Sequence, residues 1–349
     1  MKVFSNLFEK IISIPNIFIS WEEFKTDKRK KADVQAFEFD LERNLFALYR
    51  DLKSKKYVHF PYTGFYIYDP KVRHVHKASV RDRILHHAIF RILNPLYDKT
   101  FISHSFSCRI GKGTHKGVIA IERMIRKESR NFTRPCFALK CDVRKFFDSI
   151  DHRTLMEILD RRITDKDTMW LLERVVESYS ASQTNLFDRQ GLPIGNLTSQ
   201  LFANIYMNEF DQFVKHKLRV LNYARYTDDF VIVSTDRAYL ENILAPIKDF
   251  LDNKLKLSLH PNKVSIRACH QGVDFLGYVA LPYHRLVRAR TRRRIFRKLK
   301  ERIAMFRSGT ISEDALSQSL RSYLGVLSHA NAHQLSEGLK NQYWYWLHD

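Results

Sequence analysis

Residues 222–234, NYARYTDDFVIVS, hold two strand-like runs flanking Thr227 and Asp228, so a tight hairpin is the natural reading. Its tip carries two adjacent acids, Asp228 and Asp229. Upstream, CFALKCDV at 136–143 alternates Phe137, Leu139 and Cys141 against Ala138, Lys140 and Asp142. That is the period of a half-buried strand, with Asp142 at its end and its carboxylate expected to face open space. Neighbouring carboxylates flanked by apolar strands are costly to desolvate unless cations neutralise them. A hard cation such as Mg²⁺ prefers carboxylate and phosphate oxygens, and two ions about 3.5–4 Å apart stabilise the attacking and leaving oxygens of phosphoryl transfer. One strand-end aspartate plus a hairpin-tip pair supplies such a site. Taken alone, an Asp-Asp turn is more often an ordinary solvated turn.

The charge balance narrows the partners. Against 38 Asp+Glu stand 59 Lys+Arg, a net charge of +21 over 349 residues, which implies a polyanion. Nucleic acid leads, because Lys and Arg that neutralise phosphates release condensed counterions. An anionic membrane surface is the alternative, but no apolar run approaches the roughly 18 residues of a spanning helix. With 44% hydrophobic and 28% charged residues the chain is too apolar to be disordered. Its apolar start is interrupted by Glu9 and Pro15 and reads as mature sequence. Cys108, Cys136, Cys141 and Cys269 show no zinc-ligand spacing and suit a reducing, cytoplasmic setting.

Along the chain, residues 1–56 mix helical apolar spacing with the basic run Lys28 to Lys31, and the aromatics of 57–68 around Pro61 and Gly64 read as short strands with a turn. In 79–98, Val80, Ile84, Leu85, Ala88, Ile89 and Ile92 share one helical face, with Arg81, Arg83 and Arg91 elsewhere. Residues 285–307 hold eleven Lys or Arg and one acid, while Ile295, Leu299, Ile303 and Phe306 keep an apolar stripe. Beyond it, 316–346 is helical in spacing with an interruption at Gly325, so 285–349 reads as a separate all-helical module.

The hairpin does not stand alone. YTDD at 226–229 resembles the Tyr-x-Asp-Asp signature of reverse transcriptases, and other blocks follow in that family's order: VRDRI at 80–84, SFSCRIGKGTHKGV at 105–118 and KCDVRKFFDSID at 140–151. GLPIGNLTSQLFANIYMNEFD at 191–211, LHPNKVSI at 259–266 and DFLGY at 274–278 complete the set, covering roughly residues 60–280. The resemblance implies an α+β right-hand polymerase fold: an N-terminal helical extension over 1–56, fingers over 57–134 with part of 152–190, a palm with a mixed or antiparallel sheet over 135–284, and a helical thumb over 285–349.

It also implies an RNA-directed DNA polymerase using two Mg²⁺ ions, with Mn²⁺ possible in vitro. Asp142 and Asp228 would be metal ligands assisted by the Val143 carbonyl, Asp229 the third catalytic acid, and Lys263 the proton donor to pyrophosphate. Phe147 falls where the family keeps a ring against the incoming sugar, which favours deoxynucleoside triphosphates because a ribose 2′-OH would collide with it. Arg73, Ile194, Gly195 and Gln200 match positions beside the incoming nucleotide. Phe275, Leu276, Gly277 and Tyr278 match the primer grip, and Arg81, Arg83, Arg288, Arg290, Arg292, Arg293 and Arg294 are the expected contacts to template RNA and the RNA/cDNA hybrid.

Most bacterial relatives carry Gln-Gly and Ser-Pro in the fourth block, whereas this chain reads Ile194-Gly195 and Ser199-Gln200. That form, with YARYTDDFVIV, is similar to the reverse transcriptases of diversity-generating retroelements, bacterial or phage enzymes related to those of group II introns. The compact length agrees, since such enzymes lack RNase H and endonuclease domains. The resemblance implies a template-repeat RNA, error-prone cDNA mutagenised at adenines, and a pentameric basic accessory variability protein. Retron, group II intron and abortive-infection reverse transcriptases are the alternatives within the family. A catalytically inactive RNA-binding scaffold is the alternative outside enzymes.

Overall fold

The computed structural model describes residues 3–69, 71–181 and 189–348. Four helices open the chain: α1 (Phe8–Ile12), α2 (Ile14–Lys25), α3 (Ala32–Phe39) and α4 (Leu41–Lys53). α2 starts where it does because the Ser13 side chain accepts from Asn16 N and Pro15 occupies the first turn, where its missing N–H costs nothing. In α4 the three-to-four spacing of Leu45, Leu48 and Leu52 buries one stripe.

The hairpin of β1 (Thr63–Ile67) and β2 (Arg73–Lys77) follows. Gly64, expected in a turn, sits inside β1 opposite His76, and residues 57–62, expected to hold a strand, form none. α5 (Val80–Asp98) is the expected amphipathic helix, capped by Ser79, with Val80, Ile84, Leu85, Ala88 and Ile89 buried. α6 (Thr114–Glu128) completes this half.

The centre is a four-stranded antiparallel sheet in the order β4 (Tyr223–Tyr226), β5 (Asp229–Ser234), β3 (Phe137–Asp142), β6 (Ser265–Ala268). Between β3 and β4 the chain forms α7 (Phe146–Ser149), α8 (His152–Asp160), α9 (Lys166–Glu177) and α10 (Leu197–Gln212). α11 (Arg237–Asn242) and α12 (Leu244–Asp249) precede β6. The two-residue period of the strands divides two cores. Leu139, Cys141, Phe230 and Ile232 pack with Leu201, Phe202 and Tyr206 of α10. Ala138, Ala224, Val231 and Val233 pack with Val118, Ile121 and Ile125 of α6. The even positions of β3 and the odd positions of β5 therefore share the α6 face, and Asp142 and Asp229 belong to it.

A three-stranded meander, β7 (Val273–Phe275), β8 (Tyr278–Leu281) and β9 (His284–Val287), leads into α13 (Ala289–Arg307), α14 (Glu313–Ser328) and α15 (His333–His348). The module expected to be all-helical from 285 thus begins with a strand, because Arg285 to Val287 pair with β8 through Ala280, Val279 and Tyr278. Nor does Gly325 interrupt a helix; α14 runs through it to Ser328, one glycine being tolerated at about 1 kcal/mol. Ile295, Leu299 and Ile303 form the buried stripe with Leu316, Leu327 and Leu339. Among the described residues no helix is long and apolar enough to cross a membrane.

Candidate active site

Antiparallel register brings the acids together. Asp142 at the end of β3 is the pairing partner of Asp229 at the start of β5, and Thr227 and Asp228 form the turn between Tyr226 and Asp229. Directly opposed residues hold their Cβ atoms about 4.5–5.5 Å apart, where like charges destabilise a sheet. The turn is fixed from outside: Val143 N donates to the Asp228 carbonyl at 3.2 Å, and the Thr227 hydroxyl donates to Ser107 Oγ at 2.7 Å.

The expectation that Asp142 faces open space is corrected, since it is only 9% exposed and Lys263 Nζ lies 2.7 Å from its Oδ1. Burial, reinforced by the charge of Asp142, pushes Asp228 up to about 6. Burial also raises Asp229, with Lys140 pulling the other way. These carboxylates are strained as anions, the condition that a cation relieves. Among the described residues no three His, Cys, Asp or Glu side chains form a ready-made metal cage. Mg²⁺ does not require such a cage, because it keeps several waters and is commonly held by one or two carboxylates plus substrate phosphates.

Asp142 and Asp229, though not Asp228, line a cavity of about 310 Å³ whose wall carries them and Asp274 against Lys71, Lys140, Lys263, Arg267 and Arg288. Five cations around three acids suit a polyphosphate. Through Lys71 and Arg288 it adjoins a second cavity of about 710 Å³, lined by Leu276, Gly277, Arg290, Arg293, Arg294 and Arg297. Arg292 is exposed and lies outside that lining. A larger cavity, about 900 Å³, lies between α8 and α9, where Asp151, Glu157, Asp160, Glu173 and Glu177 outnumber Arg153, Lys166 and Arg189. Its wall is net negative where that of the aspartates' cavity is net positive, so its size does not make it the site.

Other expected residues divide. Phe275 and Tyr278 are buried in the α6-side core, leaving Leu276 and Gly277 as the hairpin tip, both at positive φ (52° and 91°) as a type I′ turn requires. Phe147 is half-buried against the α10-side core, and its carbonyl accepts from Leu192 N at 2.7 Å. Ile194 accepts at its carbonyl from His76 N at 3.3 Å, so the fourth block leans on β2, whose first residue is the exposed Arg73. A Cβ on Gly195 would meet Val75 Cγ1 at 2.9 Å, and φ there is 111°. Gly195 and Gln200 line a separate cavity of about 370 Å³ with Lys28, Lys31 and Lys77 rather than that of the aspartates.

Arg81 and Arg83, expected as nucleic-acid contacts, are both engaged within the protein. Arg81 pairs with Asp51, donates to Val58 O and lies over the Tyr57 and Phe60 rings. Arg83 pairs with Asp33 and lies over Phe24. Their side chains are 13% and 16% exposed, and these pairings tie the N-terminal helices to α5, while Arg83 also lines the cavity of Gly195 and Gln200. Arg288 is likewise held by Asp274. Sequence reasoning passed over Lys140, whose Nζ donates to Asp274 O at 2.8 Å. Its signal was available, since it lies two residues before Asp142 on the same face of β3. Lys71 and Arg267 gave no such signal.

Residues 68–280, well over half of the chain, match the reverse transcriptase (RNA-dependent DNA polymerase) family. The chain belongs to that family. Its enzymatic class is RNA-directed DNA polymerase, and its fold the right hand of such polymerases. Protein YkfC of Escherichia coli K12 is 28% identical over 278 residues, covering 69% of this chain and 71% of that protein. The group II intron-encoded protein LtrA of Lactococcus lactis subsp. cremoris is 24% identical, covering 79% of this chain and 57% of LtrA. This reverse transcriptase thus spans little more than half the length of LtrA. Among solved structures, telomerase from Candida albicans in complex with a fragment of telomeric RNA superposes with a TM-score of 0.48 at 13% identity, over 83% of this chain and 55% of that one.

Proposed function

We propose that the chain copies RNA into DNA with Asp142, Asp228 and Asp229 as the carboxylates that bind divalent metal, assisted by the Val143 carbonyl. The observation carrying this is the register pairing of Asp142 with Asp229 beside a turn that presents Asp228. When bound, the metal supplies the charge that neutralises phosphate oxygens in nucleotidyl transfer. Lys263 now sits against Asp142, where a metal would compete with it; released, it is the proton donor to pyrophosphate. Phe147 is the sugar gate, and Leu276 and Gly277 form the part of the primer grip that faces the cleft. Residues 57–134 act as fingers, 135–284 as palm, and the helices after Val287 as thumb.

Arg293, Arg294 and Arg297 around the second cavity act as phosphate contacts for the RNA/cDNA hybrid. Replacing Arg292, Arg293 and Arg294 by Gln is expected to weaken RNA binding and flatten its salt dependence. Each lost phosphate contact lowers the log–log slope by about 0.7–0.9. A binding titration across salt concentrations checks it, and an unchanged slope would assign these arginines to protein or solvent.

Within the family, the Ile194-Gly195 and Ser199-Gln200 form supports the diversity-generating retroelement type, copying a template-repeat RNA with errors at adenines beside a pentameric basic accessory protein. The likeness to LtrA favours a group II intron type as the second reading. Isoleucine cannot donate the hydrogen bond that glutamine makes, and a contact of about 1 kcal/mol changes a rate ratio roughly fivefold. Ile194→Gln is therefore expected to lower misincorporation opposite template adenine severalfold, and Arg73→Ala to alter it, both without stopping synthesis. Sequencing cDNA made by each protein on one template decides between the readings. Accurate copying at adenines by the unaltered protein supports the intron type, and an unchanged error spectrum makes Ile194 a packing residue only.

A further inference from the structure

β4 is apolar except for one residue. Arg225 lies between Ala224 and Tyr226 and is fully buried, at 0% exposure. A buried guanidinium costs several kcal/mol unless it is paired and hydrogen-bonded. Asp211, in the last turn of α10 and also at 0%, supplies the pairing: Nε reaches Oδ1 at 2.8 Å and Nη2 reaches Oδ2 at 2.7 Å. Tyr223 Oη donates to the same carboxylate at 2.7 Å. Neutralisation is complete at this point, yet the fork continues. Nη2 donates to Ser105 Oγ at 3.1 Å, and Nη1 donates to the Thr227 carbonyl at 3.0 Å.

That last contact reaches the turn. Thr227 has φ of 56°, a left-handed conformation that a β-branched residue adopts only when its surroundings impose it. Its carbonyl belongs to the peptide leading into Asp228, and the carbonyl of Asp228 accepts from Val143 N at 3.2 Å. The peptides on both sides of Asp228 are therefore gripped, one by Arg225 and one by the strand that carries Asp142.

We propose that Arg225, aligned by Asp211, is a positioning residue that holds the Thr227–Asp228 turn so that the Asp228 carboxylate stands beside Asp142 and Asp229. This rests on reading Asp228 as a metal-binding carboxylate, and it adds a residue that touches neither metal nor substrate. An apolar pair of similar volume is often as stable as a buried ion pair. What such a pair lacks is a planar donor set that meets Asp211, Ser105 and Thr227 at once.

Two variants test it. Arg225→Lys keeps a cation opposite Asp211 but ends in a single ammonium. Asp211→Asn with Arg225→Gln removes both charges and leaves an oxygen for Tyr223. In the metal-free protein, amide exchange at Val143 is expected to quicken about tenfold or more in both variants, while amides within β5 keep their protection. In primer extension, kcat is expected to fall at least about tenfold with KM for the nucleotide within about twofold, the pattern of lost transition-state alignment. Wild-type exchange at Val143 together with wild-type kcat in a folded variant would overturn the proposal, leaving Arg225 a packing element. So would a uniform loss of protection across the sheet in both variants, which marks a general structural role. Asp228→Asn measured alongside separates the premise. If it extends primers normally, the metal-site reading fails, while exchange at Val143 still reports whether Arg225 holds the turn.

Discussion

Asp228→Asn is expected to abolish primer extension while leaving the fold and RNA binding nearly intact. Asparagine keeps the size and leaves the backbone contact of the turn, the Asp228 carbonyl accepting from Val143 N, in place. It removes the charge that a cation needs. The stability effect has the opposite sign. Burial, then the charge of Asp142, holds the carboxyl at about 6 in the folded chain against an ordinary 3.8. The folded state therefore binds more protons than the unfolded one between those values, so stability falls as pH rises through that window and the cost is fully present above it. Its upper bound is about 3 kcal/mol. Metal-free Asp228→Asn should accordingly melt above wild type at pH 7 and with it near pH 4. Adding Mg²⁺ should raise the melting temperature of the wild type more than that of the variant, because binding to the native state alone stabilises it. Melting curves at the two pH values and a primer-extension gel are sufficient; extension by the variant would remove Asp228 from the metal site.

Phe147→Ala is expected to admit ribonucleotides, raising their use relative to deoxynucleotides about tenfold or more, the scale of 1–3 kcal/mol for one steric contact. The ring belongs to α7, directly after the strand that carries Asp142, and its backbone carbonyl holds Leu192 of the fourth block. That bond survives the substitution, so the lost volume is felt on the ring side. Phe147 also packs partly on the main core, which makes some destabilisation unavoidable. The kcat/KM ratio for the two sugars separates the effects, since a destabilised enzyme loses both rates together. An unchanged ratio would make Phe147 a core residue only.

How much was readable beforehand depends on the range of the interaction. The alternation in 136–143 and the hairpin at 222–234 are local patterns, and β3, β4, β5 and the Thr227–Asp228 turn follow them. The stripe of α5 was equally plain. What eluded the sequence is pairing between distant residues. Lys263 reaches Asp142 across 121 positions, and Arg81 and Arg83 find Asp51 and Asp33 in helices whose placement no local period encodes. Arg285 to Val287 misled because their basic composition continues into α13 while their backbone pairs with β8. Arg225 was in plain view as a charge inside an apolar run, but its partners come from α10 and residue 105.

The central sheet separates its two cores by odd and even positions, and this gives the chain a parity. Deleting a single residue within β3 would exchange the faces, sending Asp142 toward α10 and Cys141 toward the acids' cavity, because a strand repeats every two residues. Removing two residues would restore the facing while shortening the strand. Apolar substitutions on either face are graded in effect, whereas a one-residue change of length in 137–142 is all or none. The reading frame of the strand, more than any one of its apolar residues, is what the chemistry depends on.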